Sequence, residues 1–243
     1  MEVYLNRIDG WDDAIVSMFL SKRTLTRELE SEIREEVASH TNHYPGCGVV
    51  GSLFEPSEQL QDWIKKLLKW TPSHITMGRF LDFSFTVYGL HRAAQDDLDS
   101  HAKRMENRII RSSTRLADFK NGEMSEYYQD KIIPTDVVLA TLGIATPNEI
   151  EYNGETYVRG VNGYILKGME NNKDVKRGLY MLSIPSNFIF KVNLTEYAHV
   201  FKERNIKSGA NPELKTCIEA ATDELEKASL GFINRDLLFT IKN

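Results

Sequence analysis

The stretch PSHITMGRFLDFSFTVYG, residues 72–89, decides how the chain is read. Pro72 breaks whatever precedes it, and His74 and Thr76 follow on a turn. From Phe80 to Gly89 the residues alternate in part and carry aromatic and β-branched side chains, so this segment reads as a strand. Upstream, Pro56–Ser57 opens a helix with Leu60, Trp63, Ile64, Leu67 and Leu68 on one face. The local order is therefore amphipathic helix, histidine-bearing turn, strand.

Working outward, residues 2–6 suit a short strand, and 11–20 and 25–40 suit helices, the second capped by Thr24 or Thr26. Residues 40–52 are a loop punctuated by glycine and proline. Downstream, Leu90 to about Phe119 lacks proline and glycine and is expected to form one long helix. Asn153–Gly154 suits a two-residue hairpin turn, with a second turn at Asn162–Gly163. Helices are expected at 172–181, 194–205 and 212–230, with mixed strand or extended chain at 186–193. The class implied is α+β, helix-dominated, with a small mixed or antiparallel sheet in a single domain spanning 1–243.

Composition narrows the function. With 41% apolar and 27% charged residues, the chain suits a globular protein large enough to need no disulfide or metal staple. A net charge of −5 argues against coating nucleic acid. Two cysteines without a CxxC pair make a zinc site or disulfide framework unexpected and point to a reducing compartment, the cytoplasm. The start of the chain has no signal-peptide pattern, and no apolar run is long enough to span a bilayer.

Arg104, Arg108, Arg111 and Arg115, spaced four, three and four apart, would share one face of the expected helix. Such a stripe repels itself and calls for a compensating anion. One reading is a face solvated or paired with the chain's many acids. The other is a phosphate or nucleotide site, because guanidinium grips phosphate bidentately. Ser112, Ser113 and Thr114 add hydroxyls beside this charge. GxSxG, GxGxxG and GxxxxGK[ST] are all absent, which removes hydrolase, Rossmann and P-loop readings. His40 and His43 share a loop without a third ligand, so no metal site is expected.

Four segments in order resemble the flavin-dependent thymidylate synthase family. PSHITMGRFLDFSF resembles its His-x-Ser/Thr turn and F-x-F strand, through His74, Thr76, Phe83 and Phe85. Ser113–Thr114–Arg115–Leu116 resembles S-x-R-Y. KRGLYMLSIP resembles A-R-x-x-L-P, with Arg177 at the arginine. NLTEYAHVFKERNIKSGANPEL resembles the N-A-R helix and A-Q-x-E-I, with Asn193, Arg204 and residues 210–214 in matching places. Several positions depart from the pattern. R-H-R is missing in every register, the nearest being Asp99–Ser100–His101 and Lys103–Arg104–Met105. Arg79 and Phe80 replace glutamate and histidine, Thr195 replaces the N-A-R arginine, and residues 145–168 look like an inserted hairpin.

The resemblance implies a ThyX-like fold and reductive methylation of dUMP to dTMP, with FAD as cofactor and NADPH and methylenetetrahydrofolate as co-substrates. It assigns Ser113, Arg115, Arg177 and Arg204 to the uridylate, with Ser113 and Arg204 also as the catalytic pair. It assigns His74, Thr76, His101, Arg104, Asn193 and His199 to the flavin, with Arg79, Arg104 or Arg108 as replacements for lost cations. A homotetramer whose sites draw on several subunits is also implied. The eroded flavin positions leave a second reading open: a pyrimidine-nucleotide protein on this fold that has lost FAD or changed its reaction.

Overall fold

The computed structural model describes residues 1–100, 108–113, 123–172, 175–176, 178–180, 182–206 and 211–241. Strand β1 (Glu2–Asp9) leads through Gly10 into α1 (Trp11–Ser21), followed by α2 (Arg27–Ser39) and α3 (Glu58–Trp70). A 3-10 turn (Met77–Phe80) precedes β2 (Asp82–His91) and α4 (Arg92–Asp99). Then come β3 (Arg108–Arg111), α5 (Thr135–Thr141), and the strands β4 (Glu149–Tyr152), β5 (Glu155–Gly160) and β6 (Gly163–Leu166). The chain continues through β7 (Pro185–Asn193), α6 (Leu194–Phe201), a π-helical turn (Lys202–Ile206), α7 (Pro212–Ala228) and α8 (Arg235–Thr240).

Two antiparallel sheets result, one ordered β1-β2-β7-β3 and the other β4-β5-β6. In the first, Phe83 pairs with Val192, Phe85 with Phe190, and Val87 with Phe188. Period-two alternation puts all six on one face, where they are buried under the helices. Phe85 stacks on Phe190 at 4.9 Å between centroids and on Tyr197 of α6 at 5.6 Å. Full burial of each such side chain contributes about 1.5–3 kcal/mol. The Tyr197 hydroxyl stays satisfied by donating to the Ile218 carbonyl and sharing a 2.9 Å bond with Thr222 Oγ1. α7 completes the layer by burying Leu214, Cys217, Ile218, Ala221 and Leu225, a stripe at helical spacing.

Local chemistry explains the element ends. Thr26 and Ser57 cap α2 and α3 by accepting from the backbone N–H of Leu29 and Leu60. Gly10 sits at φ +87° between β1 and α1, and a Cβ there would lie 1.9 Å from the Phe80 carbonyl oxygen, so only glycine lets these segments meet. The Asn153–Gly154 turn has both residues at positive φ, as its two-residue hairpin requires, and joins β4 to β5.

One expectation fails. The run from Leu90 to Phe119 is not a single helix: α4 stops at Asp99, and residues 108–111 form a strand on the edge of β7. The segment Arg-Ile-Ile-Arg combines two β-branched residues with an open sheet edge, and that pairing outweighs the helix-compatible composition around it. Arg111 lies in this strand, so it is not part of the arginine-lined helix face expected from the spacing. Arg111 is ion-paired with Asp96 and, at 2.6 Å, with Asp99, so for this residue the acid-paired reading holds. The 3-10 turn and α8 were not anticipated, and the helix expected at 172–181 falls partly outside the described residues.

Candidate functional site

The turn after α3 presents His74 and Thr76 to solvent. His74 lies against Trp70 with 5.4 Å between ring centroids, and Lys22 Nζ stands 3.7 Å above the same indole. The backbone of this turn is tied to α6. Thr195 Oγ1 donates to the Ile75 carbonyl at 2.8 Å, and Leu194 N–H donates to the Leu81 carbonyl at 2.8 Å. Gly78 is buried at this junction, where an added Cβ would lie 2.8 Å from Thr195 Oγ1. Tertiary folding thus brings together the two segments that the resemblance assigned to flavin, although more than a hundred residues separate them. Within α6, Asn193 is the N-cap: its Oδ1 accepts from Glu196 N–H at 2.9 Å. His199 is half-buried one turn beyond Thr195.

Arg204, on the π-helical turn, donates to the Asp97 carbonyl at 2.6 Å and to Ser100 Oγ at 3.3 Å. A cation there meets the negative end of α4. At the other end of α4, Arg92 reaches the Ser112 carbonyl at 3.4 Å, and the exposed Ser113 follows. An eight-residue helix is about 12 Å long, so Arg204 and the Ser112–Ser113 segment are anchored near opposite ends of α4. His101, Arg104, Arg115 and Arg177 lie outside the described residues.

A third cluster was not anticipated. His91, at the end of β2, is fully buried, with Nδ1 against Glu213 Oε2 from the first turn of α7. Its Nε2 lies 3.0 Å from Asn211 Nδ2 and 3.2 Å from the Tyr128 hydroxyl. Ser125 Oγ reaches the same Glu213 oxygen at 3.4 Å, and Tyr127 stacks on the imidazole at 6.1 Å. Burial is the main cause that raises the Tyr128 phenol above its ordinary value, with Tyr127, Glu213 and Asp97 adding to it and a hydrogen bond from Asn211 opposing. Glu213 and Asn211 fall within the segment 210–214 already singled out by resemblance. His91 had no sequence signal beyond its place at a strand end.

Recesses among the described residues lie elsewhere, including one of about 640 Å³ along β1 and β2, lined by Tyr4, Asn6, Val50 and Tyr88, and one of about 530 Å³ between α5 and the second sheet. Among the described residues, none of the assigned ones lines either recess. Among the described residues no group of three or more His, Cys, Asp or Glu could hold a metal ion, and no helix is long and apolar enough to cross a membrane.

No family model and no curated protein matches this chain. Solved structures do. Thymidylate synthase X (ThyX) from Helicobacter pylori, with FAD and dUMP, is similar over 98% of this chain and 99% of its own, at 14% identity and a TM-score of 0.57. A flavin-dependent thymidylate synthase ThyX from the same organism, complexed with FAD and dUMP, gives 13% identity, the same coverage and 0.56. A UMP/dUMP methylase, PolB, from Streptomyces cacaoi, bound with 5-Br dUMP, gives 12% identity, 95% and 92% coverage, and 0.49. Over nearly its whole length, this chain has the α+β fold of the flavin-dependent thymidylate synthases.

Proposed function

We propose that the chain binds dUMP and methylates it at C5 with flavin as cofactor, drawing the one-carbon unit from methylenetetrahydrofolate and reducing equivalents from NADPH. The observation that carries this reading is the junction of the His74–Thr76 turn with α6, made by the Thr195–Ile75 bond. It assembles a flavin-assigned surface in a fold whose solved examples hold FAD and dUMP. The donors fit an anionic cofactor: His74, Thr76 and Arg79 all face outward on one short turn. His74, Thr76 and His199 would hold the flavin, which when bound supplies the hydride chemistry. Arg204 and Ser113, with Arg115 and Arg177, would position the nucleotide, and positioning is a large part of catalysis in such a site. The tetramer implied by the resemblance would complete each site from neighbouring subunits.

One observation favours the flavin-free reading. Asn193 uses its side-chain oxygen to cap α6, so that oxygen is engaged within the chain. Purification without added cofactor, visible absorbance, and titration of FAD with and without dUMP separate the two. Saturable flavin uptake strengthened by dUMP supports the synthase. Binding of dUMP with no flavin uptake supports the altered descendant, and binding of neither refutes both.

A further inference from the structure

The Asn211 amide settles the proton inventory of the buried cluster. Its Oδ1 accepts from the backbone N–H of Glu213 at 3.1 Å and of Leu214 at 3.4 Å, the N-cap bonds of α7. With the oxygen committed there, Nδ2 must be the group facing His91 Nε2. An amide N–H₂ only donates, so Nε2 is the imidazole's acceptor and Nδ1 carries the hydrogen, which points at the Glu213 carboxylate. The Tyr128 hydroxyl, 3.2 Å away, therefore faces a basic lone pair. This is a carboxylate–imidazole–phenol chain whose inner members are buried and whose outer member is half-exposed. His91 is also the N-cap residue of α4, whose C-terminal end receives the Arg204 guanidinium at the Asp97 carbonyl.

Replacing the C5 hydrogen of a pyrimidine by a methyl group requires that hydrogen to leave as a proton, so the reaction proposed above needs an acceptor. We propose that Tyr128 is this acceptor, with His91 and Glu213 as positioning residues behind it; the assignment rests on the synthase reading. The C5–H bond breaks and its electron pair stays in the pyrimidine ring. The proton passes to Tyr128 Oη as the phenolic proton passes to His91 Nε2. Glu213 balances the resulting imidazolium. The Asn211 N–H group opposes a lasting Nε2–H, so the proton is held briefly and returned through Tyr128 to solvent. No oxidant or reductant enters this step.

The test uses the full chain with FAD, NADPH, methylenetetrahydrofolate and dUMP labelled at C5 with tritium, comparing wild type with Tyr128→Phe. Tyr128→Phe removes one hydroxyl from a half-exposed ring, so folding is expected to survive. Loss of label is expected to slow by about 10²–10⁴-fold, with calorimetric dUMP affinity, measured without flavin, within about twofold of wild type. Label release within about threefold of wild type, or an affinity loss that accounts for the rate loss, overturns the relay. Nitrogen-15 NMR of His91 supplies a reading independent of turnover: hydrogen on Nδ1 supports the relay, and hydrogen on Nε2 overturns it. Wild type that fails to bind dUMP, or binds it and never releases label, overturns the synthase reading and removes the relay's substrate with it. Wild type that turns over beside an unaffected Tyr128→Phe overturns the relay alone.

Discussion

Gly78→Ala probes the junction on which the functional reading rests. The new methyl would meet Thr195 Oγ1 at 2.8 Å and Thr71 Cγ2 at 3.1 Å, with Leu194 Cβ at an ordinary 3.7 Å. Overpacking of this kind costs about 1–3 kcal/mol. Thr195→Ala removes the 2.8 Å bond to the Ile75 carbonyl, worth about 1 kcal/mol net and more if that carbonyl is left unsatisfied. Together the two changes should cost less than their sum, because losing Oγ1 removes the closest clash and leaves only the Thr71 methyl to shift by a few tenths of an ångström. The expected coupling is about 1–2 kcal/mol in favour of the double variant, seen as a Tm about 2–8 °C higher than additivity predicts. Urea denaturation of the four proteins measures it. Additivity within about 0.5 kcal/mol would refute the stated contact between turn and α6. If the junction shapes the flavin surface, Gly78→Ala should also weaken FAD uptake while leaving dUMP affinity near wild type.

Three further predictions concern other parts of the molecule. Arg204→Ala removes charge-assisted bonds worth about 1.5–3 kcal/mol, so dUMP affinity should fall about 10- to 100-fold by calorimetry, and unchanged affinity would remove Arg204 from the nucleotide site. Cys217 is buried and its thiol is pushed up to about 12, first by burial and then by Glu213, from an ordinary value of 9.0. The unfolded chain thus loses this proton first, so the stability it contributes is complete below about pH 9 and declines as pH rises toward about 12. Burial raises Tyr197 as well, which steepens the same decline at the alkaline end. Urea midpoints at neutral pH and about pH 10 should therefore fall less in Cys217→Ala than in wild type, and an equal fall would contradict the assignment. In the native protein a thiol reagent should modify the exposed Cys47 and spare Cys217.

Features governed by near neighbours in the chain could be read without the structure. The α3 stripe from Leu60 to Leu68, the Thr26 and Ser57 caps, the β2 alternation and the Asn153–Gly154 turn all depend on residues within a few positions of one another. Dihedral preference and side-chain period act over that range, and the ordered motifs added the fold family. Residues 108–111 show the limit. Their helix-compatible surroundings gave no hint that the edge of β7 stood open beside them, and that edge makes Arg-Ile-Ile-Arg a strand. Arg111 accordingly belongs to Asp96 and Asp99 rather than to a helical arginine stripe. His91 and Glu213 meet across 122 residues, and Thr195 reaches Ile75 across 120. The residue types were visible in the sequence; their partners, protonation and burial were decided by tertiary structure, because a polar side chain's chemistry depends on the groups packed around it and not on its neighbours along the chain.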